Sequence, residues 1–254
     1  MLTSGVLRSV IYGPETAFGQ QALASSGKRI RRVSAEINLT RETFESAEIS
    51  STAQTTDMRS GTDAVEGTLQ GELSPLAYSD FFEAALRGTW STPPTAVADV
   101  SITNSGSNKI TRTTGSFITD GFKIGDTVML EGFTATSVNG RALTVTAVSA
   151  LELTVADTLV TEASGATKKV KLAGKKLMIP LDPASRTDKS FTFESYIQNL
   201  TISEVALGCK ISEFELSIQP NAMATVSFGI LGKTMTQSTG AQYFTSPAAA
   251  PTGS

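Results

Sequence analysis

No histidine occurs anywhere in the 254 residues, and there is only one cysteine. Without histidine, no Ser-His or Cys-His pair can activate a nucleophile, and the only side chain that ordinarily titrates near neutral pH is missing. One cysteine cannot close an internal disulfide or stand in for the several soft ligands of a zinc or haem site. Cys209 lies in the apolar run Val205-Ala206-Leu207-Gly208-Cys209, which predicts a buried, inert thiol. Long hydrophobic runs are also lacking. No stretch approaches the roughly 18 apolar residues of a membrane-spanning helix, and the start, Met1 to Arg8, lacks the charged-then-apolar pattern of a secretion signal. An excess of positive charge is absent too: 21 Lys and Arg face 24 Asp and Glu, for a net charge of -3. That balance argues against a sequence-independent nucleic-acid binder.

What remains is a chain with 40% hydrophobic residues, too apolar for wholesale disorder and long enough for one large domain or two small ones. Serine and threonine make up roughly a quarter of it, and threonine favours strands. Phe214, Leu216 and Ile218 alternate with polar residues. After Gln219-Pro220-Asn221-Ala222 the alternation resumes at Ala224, Val226, Phe228 and Ile230, the pattern of an antiparallel hairpin with one buried face. Val33 to Leu39 and Val65 to Leu73 read as further strands. In the latter, Gly67 and Gly71 fall on the apolar side, which predicts that something bulky packs there. A single helix is expected after Ser74-Pro75, which supply an N-cap and a first-turn proline. Tyr78, Phe82 and Leu86 then recur every four residues, and Gly88 is placed to end it.

Composition changes after Trp90. Ser91-Thr92-Pro93-Pro94-Thr95 is a stiff linker, and beyond it short strands alternate with the turn dipeptides Asp120-Gly121, Gly125-Asp126 and Asn139-Gly140. Asn139-Gly140 predicts a hairpin between Thr134–Thr136 and Leu143–Val145, and Leu151–Val155 is another half-buried strand. Five lysines between Lys168 and Lys176 mark the return to the first domain. The reading is a mainly β fold: a β-sandwich from residues 1–95 plus 171–245, with one flanking helix, interrupted by an inserted small β-barrel at 96–170. The Ala/Pro tail 246–254 is expected to be disordered.

Gly229 to Thr234 ends like a phosphate-binding loop, but Ser227 replaces the required glycine and no helix follows. The carboxylates at Glu42, Glu45 and Glu48, and at Glu213 and Glu215, leave an oxygen-ligand metal as the only enzymatic chemistry open; a solvated face is the favoured reading. No cofactor or metal is therefore expected. Lys28-Arg29-Ile30-Arg31-Arg32 is the densest basic run, and the glutamates that follow suit a charge-complementary contact between copies of the chain. The polar stretch Glu42 to Thr62, anchored only by Phe44, Ile49 and Met58, reads as an arm that orders against a neighbour.

Arg31-Arg32-Val33-Ser34, Glu45-Ser46-Ala47-Glu48-Ile49, Asp57-Met58-Arg59-Ser60-Gly61 and Gly67 through Pro75 occur in an order that resembles the tail tube protein of long-tailed, siphovirus-type bacteriophages. Phe81 through Trp90 and the hairpin Phe214 to Gly232 do so as well, and the insert with Asp120-Gly121-Phe122-Lys123-Ile124-Gly125-Asp126 is similar to a small β-domain of such proteins. The resemblance implies a structural virion protein without catalytic activity, made in the host cytoplasm. Six copies would join sheet edges into a ring, rings would stack into a hollow tube, and DNA would pass through the lumen unbound. The partners implied are the chain itself, the tape measure, tail tip and terminator proteins; none is a membrane. The insert would decorate the exterior. Ring-to-ring or subunit contacts would fall to Arg31, Arg32, Glu42, Phe44, Glu45, Glu48, Ile49, Met58 and Arg59. Several relatives continue into a further β-domain where this sequence stops. A carbohydrate- or receptor-binding virion module, resting on the insert, is the rival reading.

Overall fold

The computed structural model describes residues 7–46, 58–91, 95–104, 108–135 and 138–251. The first strands are β1 (Arg8–Pro14), β2 (Lys28–Arg29), β3 (Ser34–Glu45) and β4 (Met58–Glu72), followed by the one α-helix among the described residues, α1 (Ser79–Leu86). Next come β5 (Val97–Ala98), β6 (Ser101–Asn104), β7 (Asn108–Thr111), β8 (Thr127–Glu131), β9 (Ala142–Val148), β10 (Glu152–Val155) and β11 (Lys169–Leu172). The chain closes with β12 (Phe191–Ile197), β13 (Ile202–Ser217), β14 (Thr225–Gly232) and β15 (Thr234–Thr239). The mainly β class is as expected from sequence. Two compact units emerge, Met1–Thr89 with Met178–Ser254, and Trp90–Leu177.

In the first unit the long strand β13 serves two wings. Its first half pairs with β12 on one side and β15 on the other, extending to β1 and β2. Its second half, Lys210–Ser217, pairs with β14, which pairs with β4, which pairs with β3. The change of wing falls where Gly208 takes a φ of 66° and where the β13–β14 register shifts after Ile211, a bulge that bends the strand. The inner faces of both wings and α1 enclose one core, in which Phe81 is surrounded by Tyr12, Phe191, Phe193 and Phe228 at ring-centroid distances of 4.6–5.8 Å. Such tilted, stacked and edge-on aromatic contacts add to the burial of apolar area.

The glycines of β4 meet the bulk foreseen for them in two different ways. A Cβ on Gly71 would stand 1.8 Å from Tyr78 Oη, so the aromatic residue preceding α1 fills that gap. A Cβ on Gly67 would stand 2.2 Å from the Glu36 carbonyl oxygen; there the backbone of β3 makes the close approach. The helix starts later than expected. Pro75 lies in turns, Leu76 has a left-handed φ of 64°, and the Ser74 hydroxyl is buried without a hydrogen-bond partner among the described residues rather than capping. At the other end Arg87, not Gly88, adopts the left-handed conformation, and Gly88 N–H donates to the Glu83 carbonyl in a Schellman-type closure.

The second unit is a seven-stranded antiparallel sheet in the order β5-β11-β8-β9-β10-β7-β6 around Phe117, Leu130, Leu143, Leu153 and Val170. It is not the closed barrel expected from sequence. Its end strands β5 and β6 are consecutive in the chain and bent at Asp99 (φ 57°), so the sheet curls until its ends adjoin by chain continuity, without a ladder between them. The hairpin partner of β9 is also corrected: it is β8, not residues 134–136. Asn139 instead ties the intervening loop by accepting from Phe133 N–H (3.0 Å) and donating to its carbonyl (2.5 Å). In the described part of the Ala/Pro tail, Ala248 pairs with the β2 edge: its N–H donates to the Gly27 carbonyl (2.8 Å) and its carbonyl accepts from Arg29 N–H (2.9 Å). Ahead of it, the buried Glu194 carboxylate accepts from Tyr243 N–H, Phe244 N–H and the Ser203 hydroxyl.

Candidate subunit interface

The described ends of the arm foreseen between Glu42 and Thr62, residues 42–45 and 58–62, pair as a ribbon. β14 accompanies β4 only as far as Val65; beyond it β3 and β4 continue alone, pairing Thr40–Glu45 with Met58–Ala64. The extension carries no period-2 signal, because apart from Phe44, Met58 and Ala64 its two faces are polar, and most of its residues are exposed. Its base is fastened by Arg41, whose guanidinium donates to both Asp63 carboxylate oxygens at 2.6 and 3.2 Å, while Thr234 donates to the same carboxylate at 3.2 Å. The Arg41 hydrogen bonds hold the Asp63 carboxyl below the usual range. Past this clamp the register shifts: Glu42 alone opposes Gly61 and Thr62, a bulge that increases the local twist. Phe44 lies over Gly61, whose Cβ would come within 2.8 Å of its ring.

Of the sequence-derived contact residues, Glu42, Phe44, Glu45, Met58 and Arg59 therefore sit together at the far end of the described ribbon, in the pairs Phe44–Arg59 and Glu45–Met58. Glu48 and Ile49 lie outside the described residues. Arg31 and Arg32 are at the other end of the same wing, because Val33 N–H binds the Gln70 carbonyl (2.8 Å) and Tyr78 donates to the Arg31 carbonyl (2.5 Å). Arg32 is half-buried and donates to the Arg8 carbonyl; burial, and then the charge of Arg8, lower its pKa. Arg31 is exposed, its guanidinium reaching the Pro251 carbonyl at 3.5 Å. Lys28 is spent on Asp80 at 2.6 Å. Among the described residues, then, the basic run does not meet Glu42 or Glu45 of the arm.

Three features went unnoticed in the sequence. The first is a sheet face. Opposite the core, β3, β4, β14 and the second half of β13 present Glu36, Glu66, Glu72, Glu213 and Glu215 among Ser, Thr, Asn, Gln and Gly, with the exposed Leu231 between Glu66 and Lys210. Lys210 stands at its margin, 3.6 Å from Asp188 and over the Phe18 ring. Strict alternation in 34–40 and 66–72 carried the signal, since every residue opposite an apolar one there is polar or acidic. The second is a pair of open edges. Among the described residues no strand pairs the outer side of β3, nor the side of Lys210–Ser217 away from β14. The third is apolar exposure at two connections that the Leu73 N–H bond to the Ala224 carbonyl (2.8 Å) brings together: Ile218 and Met223 in the β13–β14 turn are 70% and 66% exposed, and Leu76 between β4 and α1 is 76% exposed.

No group of three or more metal-ligating side chains occurs among the described residues, and none of their helices is long and apolar enough to cross a membrane. Cys209 is fully buried; burial, and then Glu15, push its thiol up to about 12. The model of a family described as phage tail tube protein matches residues 5–254 of the chain. No match is found among curated proteins.

Proposed function

The chain belongs to the phage tail tube protein family, hence to the structural proteins of the virion tail, and from this premise we propose that six copies close into a ring, that rings stack into a hollow tube, and that the acidic sheet face lines a lumen through which DNA passes. The observation that carries the reading is the wing β3-β4-β14-β13: it has one acidic face, one face committed to the core, and two open edges. Joining the β3 edge of one copy to the Lys210–Ser217 edge of the next keeps every acidic face on one side and every core face on the other. It also satisfies backbone groups that would otherwise be an aggregation liability. Four strands per copy and six copies make a 24-stranded barrel. At strand spacings of ~4.8 Å and tilts of ~40°, its backbone closes at a diameter of about 48 Å. Side chains on each side leave a bore that admits a DNA duplex. Glu36, Glu66, Glu72, Glu213 and Glu215 repel phosphates there, and no lysine row offers the counterion-releasing contacts that would hold the genome.

Negative-stain electron microscopy of the concentrated protein tests the proposal. Rings with a stain-filled centre, or tubes built from them, are the expected result. Monomers alone, even with tail-tip components present, would overturn it. Glu36→Lys, Glu66→Lys and Glu213→Lys together should leave rings intact and make assembled tubes retain DNA in a salt-dependent manner.

A further inference from the structure

We infer that the segment Tyr243–Pro251 is a guard: it fills a strand-accepting slot beside β2 and so closes that edge of the wing β15-β13-β12-β1-β2 to other copies of the chain. The inference rests on the reading that copies join through sheet edges, and adds which edge is withheld. The slot is shaped for this segment. Along β1, Val10 and Tyr12 face the main core, whereas Ile11 faces the other way and packs with Ala22 against the fully buried Phe244. Two glycines make room for the Phe244 ring: a Cβ on Gly13 would stand 2.8 Å from it, and one on Gly27 would stand 2.7 Å away. Glu194, also fully buried, pairs with no cation among the described residues. Its carboxylate accepts from Tyr243 N–H (2.5 Å), Phe244 N–H (3.0 Å) and the Ser203 hydroxyl (2.6 Å). Without the segment, a buried carboxylate would lose two of its three donors.

Beyond Phe244 the segment is a cover rather than a plug. Thr245 N–H donates to the Ala24 carbonyl (3.1 Å), and Ala248 exchanges backbone bonds with Gly27 and Arg29 as a further parallel strand would. Most of residues 245–251 are exposed, so burial of their side chains does not account for this path. Alternate residues of an extended strand turn their backbone groups to the same side, so with Ala248 facing β2 its neighbour Pro247 faces away. Proline has no N–H with which to extend the sheet, and Pro251 lacks one as well. A segment that satisfies an edge inward and places proline outward ends a sheet, one of the ways in which natural proteins stop edge-to-edge growth. The outer sides of β3 and of Lys210–Ser217 have no such cover among the described residues.

Sedimentation velocity, run below the concentration at which wild-type rings form, tests the guard. A chain stopped after Thr245 keeps Phe244 and both N–H bonds to Glu194, and loses only the cover on β2. It should form dimers and larger species at concentrations at least about tenfold below those the full chain needs. Arg29→Pro in the same chain removes the N–H that Ala248 covers and leaves the Ile30 N–H bond to the Val10 carbonyl on the β1 side, so it should restore the monomer. Ala248→Pro in the full chain removes the N–H bound to Gly27 and should favour association roughly two- to tenfold. Truncated and Ala248→Pro chains that sediment as the wild type does would overturn the inference, as would association that Arg29→Pro leaves unchanged. A wild-type chain that never forms rings at any concentration would overturn the ring reading alone, because the variants are compared with it as monomers.

Discussion

Gly71→Ala should destabilise the first unit by about 2–4 kcal/mol, and the size follows from a single contact. The added Cβ would stand 1.8 Å from Tyr78 Oη, 2.8 Å from its Cζ and 3.1 Å from the Arg31 carbonyl oxygen. Tyr78 is almost fully buried and its ring packs on Phe81 and Phe228, so it cannot swing clear without disturbing the core. Forcing it aside costs ~1–3 kcal/mol of overpacking strain. It also breaks the Tyr78–Arg31 hydrogen bond (2.5 Å), leaving a buried polar group unpaired at ~1–3 kcal/mol. Replacing a strand glycine returns ~0.5–1 kcal/mol of backbone entropy. Tyr78→Phe removes the atom in the way and by itself loses only the hydrogen bond, ~1–2 kcal/mol. The double variant should therefore be more stable than the sum of the singles by at least about 1 kcal/mol. Guanidinium unfolding can follow each unit separately, because all four tyrosines lie in the first unit and the single tryptophan, Trp90, begins the second. Additivity within about 0.5 kcal/mol, or a Gly71→Ala variant as stable as the parent, would refute the steric reasoning.

Two further outcomes follow from ionisable groups. The Glu162 carboxylate binds Lys168 Nζ at 2.8 Å and the backbone N–H groups of Thr134 (2.8 Å) and Ala135 (3.2 Å), with Lys168 the strongest influence, and is held down to about 2. A carboxyl depressed on folding stabilises the folded state fully above its ordinary value of 4.5, and that contribution is lost as pH falls from there through about 2. Trp90 fluorescence should therefore report acid weakening of the second unit across this window, and Glu162→Gln should flatten that part of the profile. The Cys209 thiol, raised to about 12, should resist a disulfide reagent at pH 8 in the native protein and react once per chain in denaturant; rapid native labelling would contradict its burial.

The strands with a clean apolar period were legible. Val226, Phe228 and Ile230 are buried on β14, and Gly71 stands where a bulky group closes over it. Phe214 and Leu216, on the same face, stay partly exposed because they lie towards the open edge and the turn. The ribbon was read as a loop because its order comes from cross-strand backbone bonds and the Arg41–Asp63 clamp, neither of which needs an apolar repeat. The helix start was misplaced because Ser74-Pro75 satisfies a local cap rule that Leu76, turned into the left-handed region, overrides.

By itself the sequence determined the chemistry available: no histidine, one inert thiol, balanced charge, threonine-rich strands and a polar arm with a few apolar anchors. These follow from side-chain identity and nearest neighbours along the chain. Only the tertiary structure decided which residues share a surface. The register of β3, β4, β14 and β13 gathers Glu36, Glu66 and Glu213 from distant segments onto one face, leaves two edges open, and sends Phe44 and Arg31 to opposite ends of one wing. The physical reason is that strand pairing is non-local. Alternation fixes which side each residue takes within its strand, but which strands lie side by side is settled by packing around Phe81 and Phe228, across sequence distances that no local pattern spans.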